Sequence, residues 1–207
     1  MTAVQTSTRA MLAQEYRDVA DLLRTLTPQE WETETLCAGW RVRDVVAHVL
    51  YEATPPLRYV FEIVRSGGSM DRLNELYIRR GASKTTGELL AAFESIHGQG
   101  LGARVAPRNV LADLMIHHQD IRRPLARPRT VPADRLLTLL RHPDPFLRPG
   151  PRMRGLRFAA TDVDWEHGTG PAVTGPGEAI FMAIAGRAVA LADLHGPGVD
   201  TLRARLR

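Results

Sequence analysis

Proline is the residue that most constrains how this chain folds, because half of its prolines fall in one short stretch. Seven of the 14 prolines lie between Pro124 and Pro151, within 28 residues. Proline removes a backbone donor and clashes with the preceding helical turn, so a long helix cannot pass through this stretch. The sequence predicts a domain at residues 1–126, a proline-rich linker with a short helix at 127–151, and a small domain at 152–207.

The composition is that of a folded globular protein. Of the 207 residues, 44% are apolar and 24% are charged, which is enough apolar surface for a substantial core. The net charge is +4 and the pI is near 9.8, but the positive charge is scattered arginine, and Lys84 is the only lysine. No basic block has interleaved aromatic residues, so we expect no nucleic-acid partner.

Cysteine content and hydropathy indicate the compartment. Cys37 is the only cysteine, which excludes an intramolecular disulfide and a metal cluster built on several cysteines. The first residues carry charges where a signal peptide needs an apolar core, and no run approaches the roughly 20 apolar residues of a membrane span. We expect a cytoplasmic protein without a membrane partner, either a monomer or a dimer.

Hydrophobic periodicity predicts an α+β protein that is mainly α. Apolar residues recur at helical spacing in the first domain and again near the C-terminus, whereas residues 155–165 and 172–174 alternate like strands. The first domain is expected to be helical, and the last to contain two strands and a helix. The predicted helices are 8–26, 42–51, 57–64, 70–80, 85–97, 109–124, 133–141 and 178–194.

The stretch from Asn109 to Pro124 contains the pattern with the most chemical content. Asp113 and His117 are four residues apart, so in a helix their Cβ atoms lie about 5–6 Å apart on one face. A carboxylate and an imidazole in this arrangement could be two of the three protein ligands of an open metal site. His48 is the candidate for the third, because it lies on the side of its helix away from the valines. A solvated hydrogen-bonding pair is the alternative.

The neighbouring residues leave further alternatives open. On a helical wheel His118 lies nearer the apolar stripe than His117, so periodicity alone does not choose between the two imidazoles. Cys37 is expected to be a packed loop cysteine. Charged residues after the candidate ligands, including Asp120, are expected to be solvated, although Arg122 and Arg123 are candidates for holding a substrate carboxylate.

Three separated segments resemble the mycothiol-dependent maleylpyruvate isomerase family. They are GWRVRDVVAHV at Gly39–Val49, DLMIHHQDIRRPL at Asp113–Leu125, and ATDVDW followed by GPGEAIFMAIAGR within Ala160–Arg187. The resemblance implies a DinB-like four-helix bundle that holds a divalent metal, usually zinc, through one histidine and a later E-x-x-x-H pair. Carried over to this chain, the ligands are His48, Asp113 and His117, which favours His117 over His118.

The same resemblance implies a chemistry. Mycothiol would be the co-substrate, and a metal lowers the pKa of a bound thiol so that the thiolate exists at neutral pH. The implied reaction is thiol transfer to, or thiol-assisted isomerisation of, a small electrophile. Asp113 replaces the family's glutamate, and this shorter ligand motivates the alternative of a binding or regulatory protein that keeps the fold without productive metal chemistry.

Overall fold

The computed structural model describes residues 7–96, 98 and 100–206. The chain divides into two compact units, Met1–Pro128 and Arg129–Arg207. His97, which the sequence places at the end of a helix, lies outside the described residues. Among the helices that are described, none is both long enough and apolar enough to cross a membrane.

The first unit is built from helices. The bounds of most of them follow the predicted segments closely. The helix expected at 42–51 ends at Val49 and continues as a 3-10 turn, Leu50–Ala53, and the short helix Leu101–Val105 is one that the sequence did not predict. The helices are α1 (Thr8–Arg24), α2 (Pro28–Trp31), α3 (Val42–Val49), α4 (Pro56–Arg65), α5 (Met70–Ala82), α6 (Thr86–Glu94), α7 (Leu101–Val105) and α8 (Pro107–Arg122).

The core of the first unit lies where α1, α3, α6 and α8 meet. Helix α1 packs on α8 and α6, while α3 packs on α5, α6 and α8. Many of the side chains between them are apolar and at most 1% exposed, and their burial contributes hydrophobic stabilisation to this unit. They include Leu12, Leu23, Val45, Leu89, Phe93 and Leu111.

Helices α3 and α5 approach each other unusually closely at one point. A Cβ built on Gly81 of α5 would lie 2.3 Å from the Cβ of Ala47 in α3. Real Cβ atoms do not approach so closely, so the crossing requires glycine on one helix and a small residue on the other. This contact fixes the position of α3 at the residue next to His48.

We expect Gly81→Ala to destabilise the protein by about 1–3 kcal/mol, because the added methyl group forces the two helices apart. Gly87→Ala is the matched control, since Gly87 is also helical but has open space around its Cβ position. That control should be neutral or stabilising by up to about 1 kcal/mol through helix propensity. Urea unfolding of both variants measures the difference, and equal stabilisation by both would contradict the close contact.

Helix α4 carries its apolar residues on the outside. Leu57, Phe61 and Val64 are 88%, 62% and 72% exposed, whereas Glu62 is buried. The Glu62 carboxylate accepts hydrogen bonds from Arg58 Nε at 2.9 Å and Tyr77 Oη at 2.6 Å, and it also pairs with Arg80 of α5. An ionic contact therefore attaches α4 to α5, in place of the usual apolar one.

Burial acts to raise the pKa of Glu62, but hydrogen bonds from Tyr77, Arg58 and Arg80 outweigh it and lower that pKa. The ionised carboxylate therefore stabilises the fold at pH values above its ordinary pKa, and this contribution is lost as the pH falls through the folded-state value.

We expect Glu62→Gln to cost about 1–3 kcal/mol at pH 7. The difference from wild type should begin to narrow below about pH 4.5, where Glu62 of the unfolded chain becomes protonated, and should narrow further as the pH falls through the lower pKa of the folded state. Unfolding curves from pH 7 down to pH 3.5 measure it, and a difference independent of pH would show that shape alone matters at this position.

The second unit combines a small sheet with short helices. It contains α9 (Ala133–Arg141), α10 (Pro149–Met153), α11 (Gly177–Ile184) and α12 (Val199–Ala204), with 3-10 turns at Pro145–Leu147 and Ala188–Asp193. The strands are β1 (Arg157–Ala160), β2 (Glu166–His167) and β3 (Ala172–Gly175). Strand β1 is central, antiparallel to β2 and parallel to β3, and α11 packs on the sheet.

Two expectations for the second unit are wrong. The continuous strand expected at 155–165 is instead β1 followed by a turn, and β2 begins after it at Glu166, which makes three strands where two were predicted. Asp162 belongs to the turn and accepts a hydrogen bond from Gly177 N at 2.7 Å, so the alternation of 161–165 reflects turn chemistry. The helix expected at 178–194 ends at Ile184, because Gly186 adopts φ +106° and a 3-10 turn follows.

The fold class is confirmed, because the chain is α+β and mainly α. The helices come first and the sheet is confined to the second unit. What matters for chemistry is that α3 and α8 lie side by side in the first unit.

Candidate metal centre

One loop and two helices bring polar side chains together in the first unit. The loop of residues 33–41 is closed by Thr35 N and Oγ1, which both donate to Trp40 O, and Gly39 takes the positive φ that its turn requires. Leu36 N donates to Asp120 O at 3.1 Å, which attaches the loop to α8. Trp40 is thereby placed beside the histidines of α3 and α8.

Three side chains predicted from the sequence converge here. His117 Nε2 lies 3.4 Å from Asp113 Oδ1, and His48 Nε2 lies 3.8 Å from Asp113 Oδ2. Ligand atoms from all three residues lie within 4.8 Å of one another. The Asp113 side chain is 34% exposed, while each histidine is 8% exposed. The cluster is therefore buried on the histidine side and open at the carboxylate.

Asp113 and His117, which both belong to α8, stabilise each other's charged forms. Burial alone would raise the pKa of Asp113, but His117, and to a lesser degree His48, lower it well below its usual range. Burial alone would lower the pKa of His117, but Asp113, Asp120 and Cys37 raise it well above its usual range. Without a metal the pair is thus an ion pair, and an incoming cation would replace the proton on His117 Nε2.

The donor set fits a divalent metal. Zinc takes His nitrogen and Asp oxygen at about 2.0–2.2 Å, so neighbouring ligands of a tetrahedral site lie roughly 3.3 Å apart. His117 Nε2 lies 3.4 Å from Asp113 Oδ1, which is close to that value, and His48 Nε2 lies 3.8 Å from the other oxygen, Oδ2. A site with three protein ligands and an exposed side has a position left for a water molecule or a substrate, as catalytic zinc sites do.

Known proteins resemble this chain in sequence family and in fold. The family model described as the mycothiol maleylpyruvate isomerase N-terminal domain matches residues 12–97. The match lies within the first unit and includes Gly39–Val49, the first of the three segments that carry the resemblance. The predicted family resemblance is confirmed to that extent. No curated protein sequence matches the chain significantly.

Two solved structures have the same fold over nearly the whole length. A crystal structure of the mycothiol-dependent maleylpyruvate isomerase is 15% identical and has a TM-score of 0.64, with 92% of this chain and 91% of that chain covered. A variant of that enzyme in which one histidine is replaced by alanine is 14% identical, with a TM-score of 0.61 and the same coverage. At this identity the likeness concerns the fold.

Behind the cluster of His48, Asp113 and His117 lies a second layer that the sequence did not reveal. Asp120 is fully buried, so the expectation of a solvated charge is wrong. Its Oδ2 lies 3.1 Å from His117 Nδ1 and accepts a hydrogen bond from Cys37 Sγ at 3.0 Å. A carboxylate behind a histidine holds the proton on Nδ1 and leaves Nε2 free for a metal. Asp120 is thus a positioning residue for His117.

Cys37 raises the question of a second donor set. Cys37, His117 and Asp120 also have ligand atoms within 4.8 Å of one another. A metal held by these three would use His117 Nδ1 and would break the hydrogen bond to Asp120. The set built on His48 uses Nε2 and keeps that bond, so the geometry favours His48, Asp113 and His117.

Aromatic rings surround the two histidines. Trp40 lies 5.3 Å from His48 and 6.3 Å from His117, and Tyr51 lies 5.5 Å from His48, measured between ring centroids. Tyr51 Oη also donates to Asp113 Oδ2 at 3.2 Å. His48 Nδ1 is buried without a hydrogen-bond partner among the described residues, so on that side of the imidazole the rings alone hold it in place.

The remaining candidates lie elsewhere. His118 is fully buried against Glu15 of α1, with 2.7 Å between Nδ1 and Oε1. Arg122 donates to His118 Nε2 at 2.7 Å and to Arg127 O, which places it in the packing of α8. The sequence prediction that Arg122 and Arg123 contact a substrate stays a prediction. Asp44 pairs with Arg41 at the start of α3.

We expect Asp120→Asn to weaken metal binding by about 10–100-fold, because an amide no longer fixes the proton on His117 Nδ1. Asp44→Asn is the matched control, since it removes a buried carboxylate of α3 whose partner is Arg41. Zinc affinity measured by competition with a chromogenic chelator should fall only in the first variant, with circular dichroism as the check on folding. Equal affinities would show that Asp120 has no role in positioning the ligand.

Proposed function

We propose that this protein is a divalent-metal-dependent enzyme that uses a low-molecular-weight thiol, mycothiol, to transfer the thiol to a small electrophile or to assist its isomerisation. The observation that carries the proposal is the convergence of His48 from α3 with Asp113 and His117 from α8 on an open side of the first unit. The family of the first unit and the named activity of the solved structures supply the thiol and the reaction class.

Each residue has a role in this proposal. His48, Asp113 and His117 would hold the metal, which when bound lowers the pKa of a coordinating thiol. Asp120 keeps the proton on His117 Nδ1, so that Nε2 faces the centre. Trp40 and Tyr51 cover the imidazoles and limit the access of water from their side.

The aspartate at position 113 is compatible with this proposal. The shorter side chain was the reason to consider a protein without metal chemistry, but the Asp113 carboxylate lies within 3.4 and 3.8 Å of both imidazoles. Tyr51 Oη adds a hydrogen bond to Oδ2, which orients the carboxylate. These contacts support Asp113 as a metal ligand in this backbone, and zinc is the metal that we propose, because its ligand preferences fit best.

The first test is the metal content of the wild type purified without chelators, beside His48→Ala and His117→Ala. Near-stoichiometric divalent metal is expected in the wild type, and a loss of metal in both variants, because removing one of three protein ligands opens the site. His142→Ala is the control, since His142 is an exposed histidine of the second unit, and it should keep the metal.

A second measurement separates an enzyme from a binding protein. In the cobalt-substituted protein, mycothiol should add a sulfur-to-metal charge-transfer band, while the oxygen analogue with serine in place of cysteine should not. A wild type that takes up no metal overturns the proposal. Metal without any spectral response to the thiol would favour the alternative of a non-catalytic binding protein.

A further inference from the structure

The second unit contains a cleft that the metal centre does not use. It has a volume of about 810 Å³ and lies between the end of α9, the segment of residues 143–151, and the start of β1. This size is typical of small-molecule sites. Leu140, Met153 and Leu156 form an apolar wall of the cleft. Four prolines stiffen the segment of residues 143–151. The cleft is thus largely formed in advance of any ligand.

The charged side chains that line the cleft are all positive. Arg141, Arg148 and Arg154 line it together with His167, and no carboxylate does so among the described residues. All three arginines are exposed, and none forms an ion pair within the described part of the chain. Three guanidinium groups without counterions around one apolar cavity attract an anion.

The acidic residues nearest in sequence are engaged elsewhere. Asp144 is 7% exposed, and its Oδ1 accepts a hydrogen bond from Phe146 N. Glu166 Oε1 and Oε2 each lie 3.0 Å from Arg157 Nη2. His167 is stacked on Trp165, with 6.0 Å between ring centroids. The local carboxylates therefore leave the positive charge of the cleft uncompensated.

Arg148 has a strained backbone conformation. Arg148 adopts φ +51° and ψ +51°, the left-handed region that glycine occupies without strain. Arg152 holds the turn by donating to Leu147 O and Ile184 O. Burial, and then the charges of Arg148 and Arg187, lower the pKa of Arg152. A side chain other than that of glycine is strained in this backbone region.

We propose that this cleft binds a small organic anion, with a carboxylate or phosphate group held by Arg141, Arg148 and Arg154 and an apolar body against the leucine and proline walls. Carboxylates and phosphates share the geometry that guanidinium groups recognise. The proposal is independent of the metal centre and of the reaction proposed for it.

The test uses three naphthalene probes in a buffer free of phosphate, with binding followed by titration calorimetry. 1-Naphthoate and 1-naphthyl phosphate should bind, and the stronger of the two identifies the anionic group. Neutral 1-naphthamide should bind about tenfold more weakly or not at all. Binding should persist in His117→Ala, so loss of the metal centre and loss of this site are distinguishable.

Three variants locate the site. Arg141→Gln and Arg154→Gln should each weaken anion binding by about tenfold, whereas Arg65→Gln, which makes the same change at an exposed position of α4, should not. Arg148→Gly should weaken binding without lowering the melting temperature, because glycine relieves the strained backbone. Weaker anion binding at an unchanged melting temperature would show that Arg148 acts in binding and not in folding.

Several results would overturn the proposal. They are equal binding of 1-naphthamide, equal losses in Arg65→Gln and the cleft variants, or anion binding that disappears in His117→Ala. Displacement of 1-naphthoate by a single-stranded oligonucleotide, with a steep dependence on salt, would instead make the cleft part of a nucleic-acid surface.

Discussion

The buried contact between Glu15 of α1 and His118 of α8 sets the geometry on which the first unit depends. Both side chains are fully buried, and Arg122 donates to the other nitrogen of the imidazole. His118 is therefore neutral, with its proton on Nδ1, and the carboxylate and the guanidinium balance each other across it. Loss of one member of such a network costs about 3–5 kcal/mol, so these contacts favour the rotation of α8 that directs His118 toward α1.

That rotation also determines where the metal ligands point. Successive residues of a helix differ by 100°, so directing His118 at α1 turns His117 toward the neighbouring α3. Asp113 lies one helical turn before His117 on the same face of α8, and His48 of α3 lies close to both. The adjacent histidines thus divide two tasks, since one anchors the helix and the other faces the candidate centre.

The sequence predicted the parts that depend on short-range spacing. Helical periodicity located the segments that became α1, α3 and α8, and the i,i+4 rule placed Asp113 beside His117. The role of Asp120 was missed because its burial depends on Leu36 and Cys37, which reach α8 from a loop some 80 residues earlier in the chain. No local pattern encodes such a contact.

In the second unit the errors came from the same source. The aspartates of 161–165 alternate as strand residues do, but Asp162 is needed at the start of α11. Gly186 ends that helix although its flanking residues continue the apolar period. The arginines of the cleft are dispersed in sequence at 141, 148 and 154, so their common cavity becomes visible only when α9 and β1 come together.

The contact between Ala47 and Gly81 has a consequence for how such a protein diversifies. Because neither helix has room for a larger side chain there, any such substitution would push α3 away from α5 and shift His48 relative to Asp113 and His117. Substitutions that reshape the pocket and leave the metal ligands in place must therefore fall elsewhere, in the loop that carries Trp40 or the 3-10 turn that carries Tyr51.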